Sequence, residues 1–84
     1  MYYTTSGYKN AALGWQTLYN NTSGSYNSSF GIRSLYSNTS GEFNSGFGSA
    51  ALYANQTGEN NTAIGSYAGY AATGSGNVFI GYSA

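Results

Sequence analysis

Asn10-Ala-Ala-Leu-Gly14, Asn27-Ser-Ser-Phe-Gly31, Asn44-Ser-Gly-Phe-Gly48, Asn61-Thr-Ala-Ile-Gly65 and Asn77-Val-Phe-Ile-Gly81 are five copies of one phrase. The first four lie 17 residues apart and the last follows after 16. A second phrase keeps the same beat, in Leu18-Tyr19-Asn20-Asn21-Thr22-Ser23-Gly24, Leu35-Tyr36-Ser37-Asn38-Thr39-Ser40-Gly41 and Leu52-Tyr53-Ala54-Asn55-Gln56-Thr57-Gly58. Met1-Tyr2-Tyr3-Thr4-Thr5-Ser6-Gly7 falls in register as a degraded copy. Self-similarity at a fixed period marks a stacked array whose units cannot bury an apolar face alone. The chain divides into units 1–17, 18–34, 35–51, 52–68 and 69–84, one repeat array without a linker.

Helix is disfavoured, because Asn, Ser and Thr compete for backbone hydrogen bonds and each unit carries several glycines. Alternation in Ala11-Ala-Leu-Gly-Trp15 and Val78-Phe-Ile-Gly-Tyr82 suits short strands of about five residues. The segment around Thr17-Leu18-Tyr19 reads as a second strand, and Asn-Thr-Ser-Gly is turn chemistry. Two short strands and two turns per unit predict one coil of a parallel β-solenoid, all-β, with five coils of 17 residues.

Residues at equivalent positions then form columns along the axis. Leu13, Phe30, Phe47, Ile64 and Ile80 make a bulky apolar column, read here as the interior. Leu18, Leu35 and Leu52 make a second, continued by Gly69, while Thr17, Ser34, Ala51, Ala68 and Ala84 are small enough for a narrow interior or a close chain contact. Asn10, Asn27, Asn44, Asn61 and Asn77 are expected to stack as an amide ladder, each side chain bonding the next. Gly14, Gly31, Gly48, Gly65 and Gly81 mark a bend or a close backbone approach. Tyr2, Tyr19, Tyr36, Tyr53 and Tyr70 form an aromatic stripe, read either as packing between coils or chains or as a platform for a glycan or surface.

Composition narrows the function. Lys9, Arg33, Glu42 and Glu59 are the only charged residues and cancel, which disfavours nucleic acid and an anionic membrane as partners. No cysteine or histidine is present, and the two glutamates share a column without a ligand set, so no metal or cofactor is expected. A hydroxyl nucleophile would find only Lys9, Glu42 or Glu59 as a base, and the chain is read as non-enzymatic. No apolar run is long enough to span a membrane, and no basic-then-apolar segment opens the chain as a signal peptide would. Asn-x-Ser/Thr sequons at Asn20, Asn21, Asn27, Asn38, Asn55 and Asn60 fall mostly in the repeat's own turns. Fourteen Leu, Ile, Val, Phe, Trp and Met residues are few for 84, so association between chains is expected to supply the missing burial.

The stretch Asn61-Thr-Ala-Ile-Gly-Ser-Tyr-Ala-Gly-Tyr-Ala-Ala-Thr-Gly-Ser-Gly-Asn-Val-Phe-Ile-Gly-Tyr-Ser-Ala84 resembles the head repeats of trimeric autotransporter adhesins. Those repeats are shorter and fold as a left-handed parallel β-roll of three chains around one axis. The Leu-Tyr-x-Asn-Thr-Ser-Gly units look like related repeats of phage tail fibres and bacterial surface fibres. The resemblance covers essentially the whole chain. It implies a homotrimer and an extracellular, cell-surface or virion location. It also implies a fibre whose role is adhesion or receptor recognition, with a host-surface glycan or receptor as a further partner.

Two rival readings stand beside it. One is a filament that stacks head to tail on copies of itself, since no polar or charged cap closes either end of the sequence. The other is a glycan- or ice-binding solenoid, which needs a uniform outer face that Trp15, Ile32, Ser49, Ser66 and Tyr82 do not provide. The stacked coils should repeat every ~4.8 Å, roughly 24 Å for five coils, which fibre diffraction or a helical reconstruction reads directly.

Overall fold

In a computed structural model describing residues 9–84, the chain is an all-β parallel solenoid of about four turns. Tyr2 and the start of the first unit lie outside the described residues. Each unit contributes one three-residue strand: β1 (Ala11–Leu13), β2 (Ser28–Phe30), β3 (Ser45–Phe47), β4 (Thr62–Ile64) and β5 (Val78–Ile80). They form one sheet in sequence order, every neighbour parallel and in repeat register, with Leu13 beside Phe30, Phe30 beside Phe47, Phe47 beside Ile64 and Ile64 beside Ile80.

The second strand per coil does not form. The Leu18 column has left-handed backbone instead, with φ of 50° at Leu18 and Leu35, 53° at Leu52 and 61° at Gly69. It still hands its N–H groups along the axis, from Leu18 to the Ser34 carbonyl, Leu35 to Ala51 and Leu52 to Ala68. Two more columns are left-handed, Lys9–Tyr26–Phe43–Asn60 and Gln16–Arg33–Ala50–Tyr67–Ser83. Such a backbone opposes a side chain by about 1–2 kcal/mol per residue. Here it persists because it aims N–H groups at the neighbouring coil, as from Ala50 to the Ile32 carbonyl and Tyr67 to Ser49 at 2.8 Å.

The interior is narrow and partly polar. Its apolar content is Leu18, Leu35, Leu52, Ala51, Ala63 and Ala68, all buried, with Ala12 and Phe79 packed against them. Leu13, Phe30, Phe47, Ile64 and Ile80, expected inside, lie instead on the outer face; Leu13 is 68% and Ile80 67% exposed. The reason is parity along the strand. Asn27, Asn44 and Asn61 are buried. A period of two then puts the second residue after each asparagine inside and the third outside. The inward strand positions are accordingly Ala12, Ser29, Gly46, Ala63 and Phe79.

Those inward positions are matched in size to what faces them. Thr17 and Ser29 meet hydroxyl to hydroxyl at 2.5 Å, and Ser34 donates to the Gly46 carbonyl at 3.0 Å. A Cβ on Gly46 would sit 2.6 Å from the Ser34 hydroxyl, so glycine leaves the space that serine uses. At the last coil the sizes are exchanged. Gly69 stands where leucine stands elsewhere, and a Cβ there would come within 2.7 Å of the Phe79 ring. Phe79 thus fills the volume that the absent leucine vacates.

Asparagine joins coil to coil in two ladders. In the Asn10 column the bonding is not mainly amide to amide as expected. The Asn10, Asn27, Asn44 and Asn61 side-chain oxygens accept the backbone N–H of the next asparagine in the column at 2.9–3.0 Å. Their amide groups donate to the carbonyls of Gly24, Gly41, Gly58 and Gly74 at 2.8–2.9 Å. Asn61 adds amide-to-amide bonds to Asn44 at 3.1 Å and to Asn55 at 3.5 Å. The second ladder, Asn21, Asn38 and Asn55, is a true amide ladder: Asn38 donates to the Asn21 oxygen at 2.9 Å and Asn55 to Asn38 at 3.0 Å.

Asn38 is completely buried and uses its amide group on both Asn21 and the Gly41 carbonyl. Replacing it with alanine leaves the Asn21 oxygen and one Asn55 N–H unmet, each buried group costing about 1–3 kcal/mol, while the Gly41 carbonyl keeps its bond from Asn27. Asn38→Ala should therefore lower unfolding free energy by about 3 kcal/mol or more in urea titration. The exposed Gln56→Ala should stay within about 0.5 kcal/mol of the parent.

Candidate functional site

The outward face of the sheet is the most unusual surface of the molecule. Strand residues one and three point out, which lines Leu13, Phe30, Phe47, Ile64 and Ile80 in a continuous apolar column. Phe30 and Phe47 stack at 5.1 Å with 6° between their planes. Beside the column, past the glycine bend, Trp15, Ile32 and Tyr82 are also exposed, at 61%, 52% and 78%. Soluble monomers rarely leave a contiguous apolar surface of this kind open to water.

The glycine column between these two surfaces is a close approach as well as a bend. Gly14, Gly31, Gly48, Gly65 and Gly81 have φ between 117° and 136°. A Cβ on Gly48 would lie 2.5 Å from the Gly65 carbonyl oxygen. A side chain at Gly14, Gly31, Gly48 or Gly65 would push adjacent coils apart, whereas Gly81 has open space beside it.

The tyrosine stripe packs along the axis. Tyr19 and Tyr36 stack at 5.1 Å, Tyr36 and Tyr53 at 4.9 Å, both with planes 1° apart. Tyr53 and Tyr70 keep a 5.0 Å spacing but open to 19°. Tyr67 leans on Tyr70 there, with centroids 5.3 Å apart. A second stack, Tyr26 on Phe43 at 5.0 Å, was not singled out by the sequence, where the column breaks at Asn60. These spacings equal one coil, so parallel stacking follows directly from the in-register fold.

The charges serve the surface. Lys9 sits 5.5 Å from the centre of the Tyr26 ring, and the Arg33 guanidinium 5.0 Å from that of Trp15. Arg33 also donates from Nε to the Gln16 side-chain oxygen at 2.9 Å. Among the described residues no His, Cys, Asp or Glu group is arranged to hold a metal, and no helix is long and apolar enough to cross a membrane. Of the sequon asparagines, Asn21, Asn27, Asn38 and Asn55 are buried and bonded within the ladders. Asn20 and Asn60 keep surface exposure.

Among the described residues, two clefts stand out. One, of about 360 Å³, lies beside Phe79 and Gly69 at the last coil. The other, of about 380 Å³, lies between Trp15 and Arg33 on one side and Tyr67 and Tyr70 on the other, over Ser49 and Ala50. The sequence missed the second because it depends on small residues interrupting a column of large ones. Comparison with protein-family models, with curated proteins and with solved structures gives no match to this chain.

Half-buried Tyr36 is flanked by a ring on each side. Tyr36→Ala removes two stacking contacts, each worth about 0.5–1.5 kcal/mol beyond burial. Chemical denaturation should show a loss of about 2–4 kcal/mol for Tyr36→Ala and less than about 1 kcal/mol for Tyr36→Phe.

Proposed function

We propose that this chain is a non-enzymatic structural segment of an extracellular fibre, in which copies associate through the outer apolar face. Adhesion or receptor recognition is then a role of the whole fibre. The observation carrying this reading is the outward column Leu13, Phe30, Phe47, Ile64 and Ile80, exposed at every rung but the half-buried Phe30, on a chain with only four charged residues. Each Å² of apolar surface removed from water contributes about 25 cal/mol, so a face five strands wide gives a strong drive to association. A threefold arrangement rests on the resemblance to adhesin head repeats, and it places the columns of three copies around one axis.

Sedimentation of the folded protein at micromolar concentration tests the reading. Assembly of three or more copies is expected. The outward position of Phe47 reverses the inward reading of its column, under which Phe47→Asp would abolish folding or assembly. With the side chain at 40% exposure, Phe47→Asp should instead keep the far-ultraviolet spectrum and shift the sedimenting species to monomer. A parent protein that is itself a stable monomer would sink the proposal.

A second reading is an axial filament, and one observation favours it. Among the described residues β5 pairs with β4 alone, and neither proline nor charge lies on it. Unpaired strand edges of this kind recruit further strands. Electron microscopy separates the two, since long unbranched filaments with a repeat of about 4.8 Å belong to axial stacking and short compact rods do not.

A further inference from the structure

The repeat is most informative where it breaks. At the corner after the glycine bend, the residue pairs of successive coils are Trp15-Gln16, Ile32-Arg33, Ser49-Ala50, Ser66-Tyr67 and Tyr82-Ser83. Bulky side chains on the first two coils give way to Ser49 and Ala50, and bulk returns with Tyr67. Arg33 and Tyr67 are two coils apart, about 10 Å at the strand spacing. Only a serine and an alanine lie between them, which makes the cleft of about 380 Å³. That size is within the roughly 300–1,000 Å³ usual for small-ligand sites.

The chemistry around the cleft converges. Arg33 is held by its stack on Trp15 and its Nε bond to Gln16. Among the described residues its Nη groups have no hydrogen-bond partner, nor do the hydroxyls of Ser49, Tyr53, Tyr67 and Tyr70. Tyr67 and Tyr70 are tilted 54° to one another, so they present a faceted aromatic wall rather than another parallel rung. None of the residues lining the cleft is acidic. One fixed cation, an aromatic wall and several hydroxyls suit a ring that is apolar on its face, hydroxylated at its edge and negatively charged at one substituent.

We propose that this cleft binds a carboxylated pyranose, a sialic acid or a uronic acid residue of an acidic glycan. The sugar's C–H face packs on Tyr67, its carboxylate takes paired N–H bonds from the Arg33 Nη groups, and its hydroxyls meet Ser49 and the tyrosine hydroxyls. A guanidinium fork matches a carboxylate in a way that the lysine ammonium does not. The site is independent of the fibre reading, because it uses the corner and not the Leu13 column.

Trp15 is the only tryptophan and stacks on Arg33, so its fluorescence reports occupancy. The protein is titrated with sialyllactose, with tetragalacturonate and with neutral lactose. A saturable change with either acidic sugar, and none with lactose, is expected; which acidic sugar binds identifies the source. Arg33→Gln and Tyr67→Ala should each weaken binding about tenfold or more, as loss of a charge-assisted pair or a stacking wall requires. Arg33→Lys should keep only part of the affinity, and Glu42→Gln, outside the cleft, should leave it unchanged. Sedimentation of each variant should match the parent, which separates failure of the site from failure of assembly. No response to either acidic sugar at 10 mM, equal binding of lactose, or undiminished binding by Arg33→Gln would overturn the proposal.

Discussion

Everything in this fold depends on the way buried asparagine carries hydrogen bonds from coil to coil. A solenoid of 17-residue coils with a single three-residue strand in each has too little regular ladder to satisfy its backbone. The Asn10 column solves this by offering a side-chain oxygen to the next coil's N–H while its amide meets a glycine carbonyl in the turn. The Asn21, Asn38 and Asn55 column links side chain to side chain. An aspartate lacks the donor and a leucine lacks both groups, so neither could substitute without leaving buried polar atoms unmet.

That arrangement sets the width of the coil. Two columns of asparagine point inward, and the remaining interior admits one leucine per coil with small residues around it. Ser34 against Gly46, and Phe79 against Gly69, show volume being exchanged between neighbours rather than added. Three columns of left-handed backbone bend the chain tightly enough to close each turn. The strain of those columns is offset by N–H groups delivered to the adjacent coil.

A core this thin leaves the bulky apolar residues outside. The outer column of Leu13, Phe30, Phe47, Ile64 and Ile80 is thus a by-product of strand parity. The corner beside it carries the irregular residues, where Trp15, Arg33 and Tyr67 interrupt the repeat and create a cleft. Regular columns hold the array together, while the irregular one is free to take on recognition.

The repeat by itself determined the parallel stacking, the coil length and the in-register columns, because a fixed period leaves no other pairing that keeps every unit equivalent. It also marked the glycine bends, and the tyrosine rings whose spacing follows from that register. Which side each column faces was decided by the tertiary structure. The bulky column reads as interior on hydrophobicity alone, yet Asn10 and Leu13 are three residues apart and cannot share one face of a strand. That parity was legible, and the small set Ala12, Ser29, Gly46 and Ala63 was its signature. The absence of a second strand was not legible, since leucine in left-handed backbone runs against local preference and is held there only by bonds to the next coil. The cleft under Arg33 belongs to the same class, because it exists only once residues two coils apart are brought to a spacing of about 10 Å.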